Sequence, residues 1–178
     1  MKKSIISLTL ATLAFAASAQ ANIKWDYIGA GYTDAGGDGP YVEGSFRLDS
    51  QWVADARLTR LSSGPADVNL LQAGVNYLSS FKLDFSPTTQ TYVLAGFDHA
   101  FGDADDTGIY GGVGLRHPLT PEVELYSEAT YHTIADNYGS LAGGIAYYVS
   151  PDWAIRGNIA LNSGDMKNEF RFGVSYQF

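Results

Sequence analysis

From Asn22 onward the chain alternates apolar and polar residues in short runs, each ended by turn-forming residues. Successive side chains of a β-strand point to opposite faces, so each run predicts a strand with one greasy and one polar face. No segment keeps a helical period. The clearest run is Asn168–Phe178: Phe170, Phe172, Val174, Tyr176 and Phe178 share one phase, and Glu169, Arg171, Gly173, Ser175 and Gln177 the other. Nine more runs precede it, at Lys24–Thr33, Pro40–Leu48, Trp52–Leu61, Asp67–Asp84, Thr89–Phe101, Ile109–Pro118, Glu122–Ile134, Gly139–Val149 and Trp153–Leu161.

The connections alternate in kind. Ser86-Pro87, Thr120-Pro121 and Ser150-Pro151 form three tight turns, and Asp49-Ser50 takes the fourth such position. Proline pre-sets a turn and cannot sit in a central strand. The other five connections are rich in Gly and Asp. Short turns at one end and more polar loops at the other are the sidedness of an outer-membrane barrel. Trp52, Trp153, Tyr92 and Leu125 fall just after the turns, where an interfacial girdle would stand.

Charge decides which phase faces inward. Val42, Phe46 and Leu48 oppose Glu43 and Arg47; Trp52, Ala54, Ala56 and Leu58 oppose Asp55 and Arg57; Val123, Leu125 and Ala129 oppose Glu124 and Glu128. A charge facing mid-bilayer costs about 2–4 kcal/mol, so the charged phase is expected in the lumen. In the first and fifth strands the phase stays ambiguous, and the placement of Asp26 and Asp98 would settle it. A soluble carrier barrel shows the same alternation with the phases reversed. The Gly, Ser and Ala of the polar phase, the aromatics near strand ends and the aromatic stripe at Phe178 favour the membrane. The expectation is an all-β fold: a single closed antiparallel up-and-down transmembrane β-barrel of ten strands, eight being the alternative, with short periplasmic turns and short acidic extracellular loops.

The first residues change the picture of where this barrel resides. Lys2 and Lys3 precede an apolar stretch, Ile5 to Ala17, too short to span a bilayer as a helix. Ala19-Gln20-Ala21 is an A-x-A cleavage site. Residues 1–21 therefore read as a cleaved signal peptide and 22–178 as the barrel domain, with an uncleaved anchor as the alternative. Removing the leader takes away Lys2 and Lys3 and no acid, which moves the formal charge from −8 to −10. That acidity argues against nucleic acid, which needs clustered Lys and Arg. The chain has no cysteine, so disulfides, thiolate metal sites, a Cys nucleophile and a lipoprotein anchor are excluded.

Two segments resemble known proteins. Arg171-Phe172-Gly173-Val174-Ser175-Tyr176-Gln177-Phe178 is similar to the C-terminal signature of bacterial outer-membrane β-barrels, and Gly112 through Pro121 resembles hairpins of the OmpA/OmpX/opacity-like group. The resemblance implies a Gram-negative outer-membrane location. It also implies that the barrel-assembly machinery reads Phe172, Val174, Tyr176 and Phe178 as an assembly signal. It implies little about activity, because one such fold carries many functions.

Three constellations could carry chemistry. Glu43, Asp55, Glu124, Glu128 and Glu169 share the expected lumen with Arg47, Arg57, Arg116, Arg156 and Arg171. They can neutralise one another as a plug of ion pairs or line a narrow pathway for small solutes or ions. Gly112, Gly114, Gly144 and Gly173 would widen that space. Asp103, Asp105 and Asp106 look like a hard-cation run but lack the fixed spacing of a calcium loop. They read either as solvated loops or as ligands for divalent cations that bridge to lipopolysaccharide phosphates. His99 and His132, near Asp98 and Asp136, could form an Asp–His general base at the rim. No nucleophile elbow, phosphate loop, dinucleotide fingerprint or zinc motif occurs, so no cofactor is expected. The sequence thus predicts a monomeric, non-enzymatic envelope protein with a structural or surface-interaction role, the narrow pore second and a rim hydrolase third.

Overall fold

The computed structural model describes residues 23–81, 83 and 86–178. The leader and its cleavage site lie outside these, as do Lys82 and Asp84 of the expected fourth strand and Phe85 just after it. Ten strands close into one barrel: β1 (Tyr27–Asp34), β2 (Asp38–Arg47), β3 (Trp52–Ser63), β4 (Ala66–Leu78), β5 (Gln90–Gly102), β6 (Asp106–Pro118), β7 (Val123–His132), β8 (Tyr138–Tyr148), β9 (Trp153–Asn162) and β10 (Glu169–Gln177). Each strand pairs antiparallel with its sequence neighbours, and β1 pairs with β10 from Tyr27↔Gln177 to Asp34↔Phe170. That last seam leaves no free edge, so backbone groups at membrane depth are bonded strand to strand.

β4 is shorter than the alternation predicts. The Leu78 N–H donates to the carbonyl of Gln51 (2.7 Å), at the end of the β2–β3 turn. Beyond that point the pairing with β3 ends, while the Ser79 N–H still donates to Thr91 O (2.9 Å) on the β5 side. Ser86 and Thr89 then build the next reversal, with the Ser86 N–H on Leu83 O (2.9 Å) and the Thr89 N–H on Ser86 O (3.1 Å).

The outward phase is apolar and exposed on every strand, with Ile28, Val42, Leu58, Val75, Val93, Val113, Leu141, Ile159 and Phe172 among its members. A contiguous exposed apolar belt of this extent suits hydrocarbon rather than water. Near the turn end Trp52 rests against Tyr77 (centroids 5.1 Å apart) and Trp153 against Tyr176 (5.3 Å). These pairs make the girdle there, together with Leu125. Tyr92, expected in it, is buried in the lumen at 3% exposure. The reason is phase: Asp98 is fully buried inside, and Tyr92, six residues earlier on β5, shares its face.

The inward glycines do not widen the lumen. Tyr41 lies over Gly31 and Gly173, Tyr110 over Gly74 and Gly96, Tyr92 over Gly114 and Tyr126 over Gly144. Gly112 is closed off by the backbone and side chain of Thr130. Each glycine leaves a shallow seat, and for most of them a tyrosine ring fills it from a neighbouring strand. We predict that Gly144→Ala, whose Cβ would enter the Tyr126 ring, costs about 1–3 kcal/mol in urea unfolding of the refolded barrel. Gly143→Ala, facing outward with nothing within 4 Å, should change stability by less than about 0.5 kcal/mol.

Candidate functional site

The inward phase builds a polar cavity of about 250 Å³ whose wall runs from Trp25 and Tyr27 at the turn end to Met166 and Lys167 at the loop end. Four carboxylates (Glu43, Asp55, Glu128, Glu169) and four arginines (Arg57, Arg116, Arg156, Arg171) stand on that wall. Glu124 and Asp98 are buried behind it. Arg47, expected among them, is exposed at the turn rim, where its backbone N–H donates to the Asp26 carboxylate (2.6 Å). It keeps the inward phase, but it is the last residue of β2 and has left the membrane span.

At the turn end the wall becomes a floor. Trp25, Val53, Leu78, Tyr92 and Leu94 form an apolar cluster, with Ile23 and Tyr110 packed on it. The Tyr92 ring meets Trp25 edge-on at 5.3 Å, and the Arg116 guanidinium sits 4.3 Å from the Trp25 ring centre. Arg116 and Glu124 form a buried ion pair, and the Tyr148 hydroxyl donates to the same carboxylate (3.2 Å). Beneath Trp25 lies a second cavity of about 260 Å³, lined by Ile23, Lys24, Asp26, Arg47 and Phe178 among others. Trp25 borders both cavities. The pattern offered one signal for this residue: Trp25 precedes Tyr27 by two positions and so belongs to the inward phase of β1.

Mid-lumen, the Asp55 carboxylate accepts the Asn76 amide (2.6 Å), and Glu128 accepts the Tyr92 hydroxyl (2.7 Å). The Arg156 Nε donates to Ser175 (2.8 Å) while its guanidinium stacks 3.8 Å from the Tyr27 ring. Nearer the loops, Arg171 lies 3.4 Å from Glu169 and donates to Asn158 (2.9 Å).

A band of hydrogen bonds crosses β3, β4, β5 and β7. Arg57 donates to Gln72, Gln72 donates to Asp98 (2.7 Å), Asp98 meets His132 Nδ1 (2.7 Å), and His132 Nε2 meets the Thr130 hydroxyl (2.9 Å). The His132 ring is stacked between Tyr110 and Tyr138, at 5.3 and 4.6 Å. Asp98 and His132 are therefore brought together, as an Asp–His base requires. However, both ring nitrogens are engaged, so accepting a substrate proton would cost the Thr130 contact. His99 faces the other way, on Phe101 (5.6 Å) and Thr107 (2.8 Å), and Asp136 is exposed in a loop.

The acidic loops hold themselves together. One Asp103 oxygen accepts the Asp67 N–H (2.7 Å), and Asp106 spans the N–H groups of Thr107 (2.8 Å) and Ala135 (2.7 Å). Ala135 has φ 54°, a left-handed conformation that this contact helps hold. Among the described residues, Asp103, Asp105 and Asp106 do not converge as a ligand set with any third carboxylate or imidazole.

The family described as "Outer membrane protein beta-barrel domain" matches residues 7–178. No curated protein sequence matches the chain. Among solved structures, the KdgM porin is similar with a TM-score of 0.52 at 12% identity, covering 85% of this chain and 99% of that one. The NanC porin gives 0.47 at 11% identity, over 86% of this chain and 100% of that one. Ail, the attachment invasion locus protein of Yersinia pestis, gives 0.40 at 12% identity, over 88% and 100%. At these identities the likeness concerns the fold alone.

The Arg116–Glu124 pair is the most deeply buried ion pair on the floor. We predict that Glu124→Gln, which leaves Arg116 buried without a carboxylate, costs about 3–5 kcal/mol in urea unfolding. The exposed neighbour change Glu122→Gln should stay within about 0.5 kcal/mol.

Proposed function

The chain belongs to the family of outer membrane protein β-barrel domains, and from that premise we propose that it is a structural barrel of the bacterial outer membrane whose lumen is closed at rest. One observation carries this reading: Trp25 lines both the lumen cavity and the turn-side cavity, and it packs against Tyr92 and Arg116. A tube sealed by a tryptophan and an ion pair holds the wall open without passing solute. Its outer-face partners are membrane lipid and lipopolysaccharide, with divalent cations between lipopolysaccharide phosphates and the loop aspartates. Closure removes sheet edges, which favours a monomer. Residues 1–21 act as the cleaved export signal, and Phe172, Val174, Tyr176 and Phe178 are read during assembly.

A narrow pore for small solutes is the second reading. It is favoured by the continuous polar wall from Tyr27 to Lys167 and by the fold shared with a porin. Single-channel recording in planar bilayers separates the two. We expect the wild-type protein to be silent and Trp25→Ala to conduct. Steps of current from the wild type would replace the first reading by the second. Silence from Trp25→Ala would remove Trp25 as the seal. We further expect deletion of Phe178 to lower membrane insertion in cells more than it lowers the stability of refolded protein; equal losses would leave Phe178 as ordinary lipid-facing surface.

A further inference from the structure

The lumen wall is amphoteric, and part of its charge is left unpaired. Arg116 is matched by Glu124, and Arg171 lies beside Glu169. Among the described residues, Glu43, Asp55, Glu128, Arg57 and Arg156 form no ion pair. Glu43 and Arg57 are cross-strand partners on β2 and β3, yet Arg57 turns to Gln72 instead. Arg156 is 6% exposed, and its Nη2 is buried with no hydrogen-bond partner among the described residues.

Glu43 and Arg156 converge on one stretch of wall. Glu43 lies over Gly29 of β1, with its Oε1 3.4 Å from where a Cβ would stand. Gly29 pairs with Ser175 of β10, and the Ser175 hydroxyl accepts the Arg156 Nε. The Tyr27 ring, on the same face of β1, supports the guanidinium. A carboxylate and a guanidinium thus flank a shared patch of cavity wall across β2, β1, β10 and β9, neither neutralised by a direct partner.

A buried charge needs an opposite charge or strong hydrogen bonds to offset its lost hydration. A plain anion entering this cavity would meet Arg156 but also Glu43, Asp55 and Glu128. A plain cation would meet the carboxylates but also Arg57 and Arg156. Only a small solute that carries both charges and is neutral overall meets attraction at each end. We propose that this wall is a binding site for a small zwitterion of the α-amino-acid kind, its ammonium toward Glu43 and its carboxylate toward Arg156. The cavity, about 250 Å³, has room for such a solute, and its wall reaches the loop end at Lys167. The site does not depend on conduction, since a lumen closed by Trp25 can still be entered from the loop end.

The test uses the whole refolded barrel in detergent, with the arginine Nε resonance of Arg156 followed by NMR. The probes are L-alanine, propionate, which lacks the ammonium, and ethylammonium, which lacks the carboxylate. We expect a saturable shift with alanine and at least tenfold weaker binding of the two analogues. Glu43→Gln should weaken alanine binding at least tenfold. Glu43 makes no ion pair that its loss would break, and retained heat-modifiable mobility on gels confirms that the variant folds. Arg156→Gln should do the same to alanine binding, read on the ligand signals, with Glu43→Gln deciding alone where that variant does not fold. No saturable shift, equal binding of either analogue, or unchanged affinity in folded Glu43→Gln would each overturn the proposal.

Discussion

Hydrocarbon offers no hydrogen-bond partner, and the rest of this structure follows from that constraint. An unbonded backbone amide at membrane depth costs several kcal/mol, so the sheet has to close on itself. The seam between β1 and β10 is where it closes, and it joins two segments nearly the whole chain apart. Because the seam must form, the alternation of both strands must agree in phase: Tyr27, Gly29, Gly31 and Thr33 inside with Arg171, Gly173, Ser175 and Gln177. A slip by one residue would turn Arg171 and Glu169 into lipid and the Phe170–Phe178 stripe into the lumen.

Closure creates a second problem, the filling of a tube. The chain solves it with rings laid on glycines and with charge. Tyrosines supply volume without adding formal charge, and their hydroxyls join the polar network, as Tyr92 does on Glu128 and Tyr148 on Glu124. The band from Arg57 to Thr130 ties four strands together across the upper lumen. Such networks fix one arrangement when every member has a partner. Glu43 and Arg156 stand outside the lumen's ion pairs, and the Arg156 Nη2 is buried without a hydrogen-bond partner among the described residues.

The architecture was legible because it rests on local pattern. Strand number, turn positions at Ser86-Pro87, Thr120-Pro121 and Ser150-Pro151, and the outward stripe of β10 all follow from residues a few positions apart. Four features were not legible. Arg47 has the right phase, but its depth depends on where β2 ends. The phase of Tyr92 could be counted only from Asp98, whose own placement was open. The glycines promised space, but the rings that fill it come from other strands, through contacts such as Tyr41 on Gly173 that no local pattern encodes. Trp25 had the right parity, yet its role as a floor depends on Tyr92, Leu94 and Arg116 from β5 and β6.

The three tryptophans occupy different surroundings, and this makes the chain its own optical instrument. Trp52 and Trp153 are 41% and 49% exposed on the outer girdle, whereas Trp25 is 5% exposed inside. Lipid-borne quenchers address the first two, and the inner ring is shielded from them by the wall. Emission from one unlabelled sample can therefore be divided into a signal of the bilayer boundary and a signal of the inner floor, so that insertion and sealing become separate events on a single time axis.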